Sequence, residues 1–224
     1  MRLTTLQGLI RRRVLANYRV DPDVMQRHLP ARFQPKLHAG YAVAGVCLIR
    51  LEQIRPQLAP EFVGLTSENA AHRVAVTWDD NGVAREGVFI FRRDTGSRLN
   101  HLVGGRLFPG EHNFASFDVV DSGERVELVM TSEDAAVRIE LRARSTEQLP
   151  HTSIFASVAD ASTFFEGGAV GYSVTGEAGR LDGVKLQTNA WRVMPLAVES
   201  FTRASLRIRC AFRSAPWSST TLSS

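Results

Sequence analysis

Lysine is nearly absent from this chain. Of its 27 lysines and arginines, only Lys36 and Lys185 are lysine. Arginine does not replace lysine as an amine nucleophile, because its guanidinium group stays protonated above about pH 12. Chemistry that needs a reactive amine therefore has two candidate side chains. The excess of arginine over lysine indicates GC-rich coding rather than selection for binding.

Cysteine and long apolar runs are also scarce. Cys47 and Cys210 are isolated, with no CxxC spacing, which is typical of a reducing compartment rather than of a disulfide scaffold. Cys47, between Val46 and Leu48, is interpreted as a small buried hydrophobe. No apolar run approaches about 18 residues, and the N-terminal segment lacks the apolar region of a secretory signal. We expect a cytoplasmic protein that does not span a membrane.

The basic charge is confined to the C-terminal segment. The formal net charge is +4, yet residues 1–199 carry 23 basic and 23 acidic side chains. The excess comes from Arg203, Arg207, Arg209 and Arg213, in a final segment without any acid. A nucleic-acid binder would carry a basic face on its folded body, interleaved with aromatic residues. The distribution therefore argues against nucleic acid as a partner.

Motifs for metals, nucleotides and serine nucleophiles are missing. His72, His101 and His112 are 29 and 11 residues apart, whereas zinc ligands usually lie closer together. No Lys-Ser/Thr follows Gly104-Gly105, so a phosphate loop is not indicated, and no G-x-S-x-G elbow occurs. We expect no metal and no cofactor. His112 is retained as a candidate general base at the rim of a pocket.

What the sequence does contain is mostly β pattern. The runs HRVAVTWDD and AREGVFIFRR alternate around Asn81-Gly82, the strongest short-range hairpin signal. Strands are also predicted over 9–20, 33–38, 41–54, 112–122, 125–132, 136–144, 171–177 and 184–198. Short helices are predicted over 21–30 and 154–168, and one or two helical turns over 97–107. This pattern predicts one mainly β (α+β) domain over residues 1–200, built as a barrel or sandwich.

The chain resembles a family through several segments. ANYRVDPDVMQRHLP, Arg55-Pro56, SENAAHRVAVTW and GVFIFRRDTGSRLNHLVGGRLFPGEH together are similar to proteins of the uncharacterised DUF2071 (YqjF-like) family. The resemblance covers most of residues 10–195. It implies the fold of acetoacetate decarboxylase, a β-rich barrel with a few short helices around a closed, partly apolar cavity.

The resemblance also implies that the decarboxylase chemistry is lost. That enzyme forms a Schiff base through a lysine whose pKa is depressed by a cationic neighbour. The corresponding strand here runs Phe89-Ile90-Phe91-Arg92-Arg93, without lysine. Schiff-base decarboxylation is therefore not expected.

Five residues are the candidate pocket. By resemblance, Arg11 would fix a substrate carboxylate and Glu68 would be one of its acidic partners, with a slip of one or two residues allowed at Glu68. Arg92 and Arg93 would make the pocket cationic, since arginine binds carboxylates through paired hydrogen bonds, and His112 would lie at its rim. Consecutive strand residues face opposite sides, so about half of the arginines face solvent.

The tail from residue 201 to 224 departs from the family pattern. Ala215 to Leu222 back-translates with GC-rich codons to GCGCCGTGGAGTTCGACGACGCTC, which from its third base encodes Ala-Val-Glu-Phe-Asp-Asp-Ala. This is similar to the last strand of the family, so we hypothesise a frame shift between about residues 200 and 213. Resequencing the gene tests this; an uninterrupted frame would contradict it. The alternative is a genuine disordered Ser/Thr-rich tail.

Two functions stay open from the sequence. The first is a soluble pocket protein for a small anionic or keto-acid-like ligand, acting without a Schiff-base lysine and with or without catalysis. The second is a non-catalytic ligand-binding or structural barrel. Neither the ligand nor the oligomeric state follows from the sequence.

Overall fold

The computed structural model describes residues 6–98, 110–175, 180–186, 191, 193–205 and 220–223. Thirteen strands are present among them: β1 Leu6–Val20, β2 Gln34–Pro35, β3 Leu37–His38, β4 Tyr41–Pro56, β5 Leu65–Asp80, β6 Val83–Thr95, β7 His112–Asp121, β8 Arg125–Ser132, β9 Val137–Ser145, β10 Val170–Val174, β11 Leu181–Lys185, β12 Met194–Ser205 and β13 Thr220–Ser223. The helices are α1 Pro22–Gln26 and α2 Val158–Glu166, and single 3-10 turns lie at Glu61–Val63 and Gly167–Ala169. The predicted mainly β class with a few short helices is confirmed.

All thirteen strands belong to one sheet. Its order is β11-β10-β6-β7-β8-β9-β12-β13-β1-β4-β5-β2, with β3 paired to β4. The path has two ends, so the sheet is not the simple closed barrel that the sequence predicted. An additional pairing between β5 and β6 joins two distant points of the path and folds the sheet back on itself.

The β5–β6 hairpin is confirmed at its turn. Asn81 and Gly82 both have positive φ, 54° and 83°, as a two-residue turn of type I′ requires. Asp79 Oδ1 accepts a hydrogen bond of 3.0 Å from the Gly82 amide. Farther along, His72 pairs with Arg92 but Arg73 pairs with Ile90, so Phe91 is an extra residue in a β-bulge.

The β7–β8–β9 meander also follows the prediction, with turns at Ser122-Gly123 and Glu133-Asp134. The predicted strand over 184–198 is wrong as one element, because β11 ends at Lys185 and β12 begins only at Met194. Most of the predicted helical turns over 97–107 fall outside the described residues.

Helix α1 begins where its capping residue predicts. Asp21 accepts hydrogen bonds from the amides of Asp23 (2.9 Å) and Val24 (3.0 Å), and Pro22 occupies the first turn. These are amides that would otherwise lack a partner at a helix start. Met25 of this helix is buried.

Helix α2 has reciprocal caps at its start. Ser157 Oγ accepts from the Asp160 amide and Asp160 Oδ2 accepts from the Ala156 amide, each at 3.0 Å. This fixes the helix so that Phe164 and Phe165 are buried against the sheet. Full burial of such a side chain contributes about 1.5–3 kcal/mol.

The two faces of the β1–β4–β5 sheet pack against different partners. We call the side packed against α2 the helix face; its cluster contains Leu15, Val43, Cys47, Ala75, Phe155, Ala161, Phe164 and Phe165. The opposite face carries Val14, Val46, Leu48 and Ala70, which pack with side chains of β7, β8 and β9. Because side chains alternate along a strand, consecutive residues of β1 and β5 belong to different faces.

The C-terminal strand β13 pairs with both β1 and β12. Strand β12 runs through residue 200 without interruption. The division of the chain at residue 200 and the frame shift stay predictions. Within the described part of the chain, no helix is long and apolar enough to cross a membrane.

Candidate anion site

Two pairs of consecutive arginines lie at the centre of the candidate site. Arg12 and Arg13 of β1, and Arg92 and Arg93 of β6, each send one side chain to the opposite face and one to the helix face. The arginines on the two faces differ in whether carboxylates pair with them.

On the opposite face, Arg12 is buried within ion pairs. Its guanidinium lies 2.6 Å from Glu68 and 3.4 Å from Asp121. Arg50, directly across the strand pair from Glu68, contacts Glu68 at 3.3 Å and Glu52 at 2.7 Å. Hydrogen bonds to Glu52 and Glu68 outweigh burial and raise the pKa of Arg50. This group holds more carboxylates than arginines, so it has no excess positive charge for an anion.

Arg92 belongs to a second paired group on the same face. It donates from Nη2 to Asp94 Oδ1 at 2.7 Å and from Nη1 to Asp134 Oδ2 at 2.9 Å. The pKa of Arg92 is raised, since these bonds outweigh its burial, and the Arg92 bond holds the pKa of Asp134 well below its usual range.

His72 completes this second group. Its Nε2 lies 3.1 Å from Asp94 Oδ2, and Asp94 is fully buried. Both oxygens of Asp94 also accept from Arg92 Nε, so we assign the hydrogen of this contact to His72 Nε2. Burial lowers the pKa of His72 despite the bond to Asp94, so the ring is neutral at pH 7.

On the helix face, Arg73 is a buried cation without a counter-charge among the residues that the structure describes. Only 5% of its surface is exposed. Nη2 donates to Asn17 Oδ1 at 3.1 Å, the guanidinium lies 5.5 Å from the centre of the Phe165 ring, and Nε has no hydrogen-bond partner. Gly45 lies directly across from Arg73, and a Cβ there would stand 2.8 Å from Asn17 Oδ1. Glycine thus leaves room for the Asn17–Arg73 bond.

Arg93 reaches the same face from β6. Its Nε donates to Ser173 Oγ of β10 at 2.9 Å, while its buried Nη2 has no hydrogen-bond partner. Asn113 fixes the backbone here, donating from Nδ2 to the Arg93 carbonyl at 3.1 Å. His112 pairs with Arg93 in the parallel β6–β7 register, and its Nδ1 lies 3.2 Å from the carbonyl of Gly110.

Arg13 lies at the edge of this group. Its guanidinium is 5.4 Å from the centre of the Trp191 ring, and its buried Nε has no hydrogen-bond partner. Trp191 is held to helix α2, since its Nε1 donates to Ser162 Oγ at 2.8 Å. An aromatic ring face attracts a guanidinium but supplies no full negative charge.

We call this group the arginine site. It consists of Arg13, Arg73 and Arg93 with Asn17, Cys47, Phe165, Ser173 and Trp191. Across the described residues, no carboxylate pairs with any of the three arginines.

Burial dominates the electrostatics of the arginine site. It lowers the pKa of Arg73 and that of Arg93 each to about 10. The positive charge of Arg13 lowers the pKa of Arg73 further, whereas the Cys47 thiol raises the pKa of both Arg73 and Arg93. Both guanidinium groups are still charged at pH 7, so the site presents uncompensated positive charge in a poorly solvated place.

The structure brings together some of the predicted residues. Arg93 and His112 are neighbours on paired strands, and Arg93 belongs to the arginine site. Glu68 and Arg92 lie on the opposite face in separate paired groups. Arg11 is exposed on β1, and its buried neighbour Arg12 is the residue that contacts Glu68. The functional roles of these five residues stay predictions.

Sequence reasoning overlooked Arg73 and treated Cys47 as core packing. A signal for Arg73 was present, because it is a charged residue inside the otherwise apolar run of β5. A buried strand keeps a charge only where something compensates it or uses it. Trp191 and Phe165 carried no such signal.

His101 and Gly104-Gly105 lie outside the described residues. Within those residues, no three His, Cys, Asp or Glu side chains form a group that could hold a metal ion.

Known structures share this fold. Acetoacetate decarboxylase from Legionella pneumophila superposes with a TM-score of 0.60 at 13% identity, covering 97% of this chain and 81% of that one. The enduracididine biosynthesis enzyme MppR, complexed with pyruvate, gives 0.56 at 15% identity, covering 97% and 83%. An acetoacetate decarboxylase-like enzyme from Sphingomonas wittichii gives 0.53 at 16%, covering 98% and 89%.

At these identities the likeness shows the fold alone, which confirms the predicted acetoacetate decarboxylase-like architecture. A comparison with curated protein sequences gives no match. The model of family DUF2071, described as an uncharacterized conserved protein, matches residues 9–220. The match covers nearly the whole chain, and the protein therefore belongs to the DUF2071 family.

Proposed function

We propose that this protein binds a small organic anion of the keto-acid type in the arginine site, without a Schiff-base lysine. One observation carries the proposal: Arg73 is buried and charged, with no carboxylate partner among the described residues. Arg13 adds a second positive charge that acts on Arg73, and Cys47 interacts electrostatically with both Arg73 and Arg93. Burying an uncompensated charge costs several kcal/mol. A bound anion would offset that cost.

The shape of the donors favours a carboxylate. Arg73 Nε and Arg93 Nη2 are buried donors that lack an acceptor. A carboxylate can accept two parallel hydrogen bonds from one guanidinium group, which makes arginine the preferred residue for binding it. Phe165 and Trp191 add apolar surface for the carbon skeleton of a small acid.

The keto-acid class is supported by one of the structural relatives. MppR, which shares the fold, is known in complex with pyruvate. A keto acid combines a carboxylate, which suits the unpaired guanidinium groups, with a carbonyl oxygen that could accept from a further donor. The proposal includes a cytoplasmic location and no nucleic-acid partner.

Both lysines of the chain are poor candidates for Schiff-base chemistry. Lys36 Nζ is 2.6 Å from Glu86 and donates to the Phe164 carbonyl at 3.2 Å. Both contacts occupy the nitrogen that would have to attack a carbonyl carbon. Lys185 is exposed at the end of β11. The proposed ligand is therefore bound by guanidinium groups rather than by an imine.

The test compares ligands and variants by thermal shift. Pyruvate should raise the Tm of the wild-type protein, whereas methyl pyruvate, which keeps the carbonyl but lacks the charge, should not. The pyruvate response should be lost in Arg73→Met and Arg93→Met. Arg85→Met is the matched control, since Arg85 is an exposed arginine of β6 outside the arginine site.

Two outcomes contradict the proposal. One is equal stabilisation by pyruvate in the wild type and in both arginine-site variants. The other is the absence of any Tm response of the wild type to pyruvate, acetoacetate and other small keto acids at millimolar concentration.

A further inference from the structure

Cys47 lies in the middle of the arginine site. The strand register places Leu15, Cys47, Ala71 and Arg93 in one row across β1, β4, β5 and β6. In this row, Ala71 lies between Cys47 and Arg93. Arg73 is the diagonal neighbour of Cys47 on β5, since it pairs with Gly45.

Both guanidinium groups interact with this thiol. Burial is the main effect on Arg73 and on Arg93, but Cys47 raises the pKa of each. Cationic neighbours stabilise a thiolate, which is the reactive form of cysteine. The second, independent feature is the buried Nε of Arg73, the diagonal neighbour of Cys47, since this donor has no hydrogen-bond partner among the described residues.

We propose that Cys47 is the nucleophile of the arginine site and that its sulfur adds reversibly to the carbonyl carbon of a keto acid held by Arg73 and Arg93. This inference rests on the proposed function. It assigns the role of nucleophile to the Cys47 thiol instead of to a lysine amine.

The addition is balanced without any further reactant. The Sγ–C bond forms, the π bond of the carbonyl breaks, and the former carbonyl oxygen takes the proton that the thiol gives up. The product is a thiohemiketal whose carboxylate stays paired with the arginines. No oxidation or reduction occurs, and reversal releases the unchanged keto acid.

The competing explanation is that Cys47 only fills space. It is 6% exposed and belongs to the cluster around Phe165, as free cysteines in protein cores commonly do. A thiol that only packs would form no covalent adduct with pyruvate, although the same arginines surround it. Adduct formation therefore separates the two explanations, and charge-selective alkylation tests whether the arginines guide an anion to the sulfur.

The first measurement is the alkylation of Cys47 in a Cys210→Ser background. Iodoacetate carries a carboxylate beside its reactive carbon, whereas iodoacetamide is neutral and of the same size. We expect the ratio of their rates to be about tenfold higher in the folded protein than in the urea-unfolded chain, because nearby cations attract the anion. Pyruvate should protect, and Arg73→Met and Arg93→Met should return the ratio to the unfolded value.

The second measurement detects the adduct itself. Pyruvate labelled with a carbon isotope at its carbonyl should give a new NMR signal in the tetrahedral range when bound to the Cys210→Ser protein. The signal should vanish in Cys47→Ser, which keeps the size of the side chain but not its nucleophilicity. The Tm response to pyruvate is measured on the same Cys210→Ser sample, because it reports binding separately from adduct formation.

Failure of this inference and failure of the proposed function give different results. If pyruvate raises the Tm but the alkylation ratio equals that of the unfolded chain and no tetrahedral signal appears, Cys47 is not a nucleophile although the site binds keto acids. If pyruvate also leaves the Tm unchanged, both proposals are overturned.

Discussion

Arg92 and Arg93 are adjacent in the chain, yet they lie on opposite faces of the sheet and differ in charge compensation. Arg92 is paired with Asp94 and Asp134, whereas Arg93 donates to the neutral hydroxyl of Ser173 and has no carboxylate partner in the described part of the chain. The β-bulge at Phe91 produces this arrangement. In an unbulged register Phe91 would pair with His72, so Arg92 would pair with Ala71 and occupy the helix face.

Replacement by methionine should therefore destabilise the protein at Arg92 but not at Arg93. Arg92→Met leaves Asp94 fully buried with His72 as its one side-chain partner among the described residues, and breaking a buried pair in this way costs about 3–5 kcal/mol. Arg93→Met removes a cation without a counter-charge, so the free energy of unfolding should stay unchanged or increase. Urea denaturation of both variants in ligand-free buffer measures the difference. Equal losses in the two variants would show that Arg93 is compensated after all.

Local signals in the sequence predicted much of the fold. The Asn81-Gly82 turn and the Asp21 cap each depend on residues close together in the chain, and each is confirmed. The pairing of β13 with β1 and β12 depends on distant segments, and the resulting sheet is not closed into the predicted barrel.

The candidate site was harder to predict than the fold, because it depends on which face a side chain occupies. A shift of one residue in register moves every later side chain to the other face. The sequence does not reveal the bulge at Phe91, so it could not separate Arg92 from Arg93. Nor could it show that Arg12, and not Arg11, contacts Glu68. Whether a carboxylate offsets the charge of each arginine is decided by the tertiary structure.

Gly45 is predicted to be intolerant of a side chain. In Gly45→Ala the added Cβ would lie 2.8 Å from Asn17 Oδ1 and against the backbone of Ala16, so β1 and β4 would have to move apart. We expect a loss of about 1–3 kcal/mol. Gly168→Ala is the matched control, because its Cβ would meet only Val88 Cγ1, at 3.4 Å. Urea denaturation compares the two, and a similar stability for both variants would contradict the close packing at Gly45.

The same substitution should weaken the arginine site. Movement of Asn17 would lengthen its hydrogen bond to Arg73, which fixes the guanidinium group. In Gly45→Ala protein that is still folded, the Tm response to pyruvate should fall, while Gly168→Ala should respond as the wild type does. An unchanged response in Gly45→Ala would remove Asn17 from the site.

His72 makes stability depend on pH in a defined direction. Burial lowers the pKa of His72 in the folded protein, so the unfolded chain binds the proton first as the pH falls. The contribution of His72 is complete above the unfolded pKa of about 6.5 and is lost as the pH falls below it. Urea denaturation between pH 8 and pH 5, roughly the range around that value, should show this decrease.

Replacing His72 separates its contribution to the pH dependence of stability from that of other titrating groups. His72→Gln should flatten the decrease, whereas His151→Gln should leave it unchanged, since His151 is exposed. An equally steep decrease in His72→Gln would assign the pH dependence to the carboxylates instead.

Reductive trapping tests whether a lysine of this protein is the nucleophile. Sodium cyanoborohydride reduces an imine formed between a lysine and a keto acid to a stable amine, but it does not reduce a thiohemiketal. Because Lys36 is held by Glu86 and Phe164, incubation with pyruvate and this reductant should leave Lys36 unmodified in the folded protein. Peptide mass spectrometry reads the modification, and the urea-unfolded chain is the positive control because there the lysine is free. Stoichiometric modification of Lys36 in the folded protein, prevented in Lys36→Arg, would restore the Schiff-base mechanism and remove the reason for a thiol nucleophile.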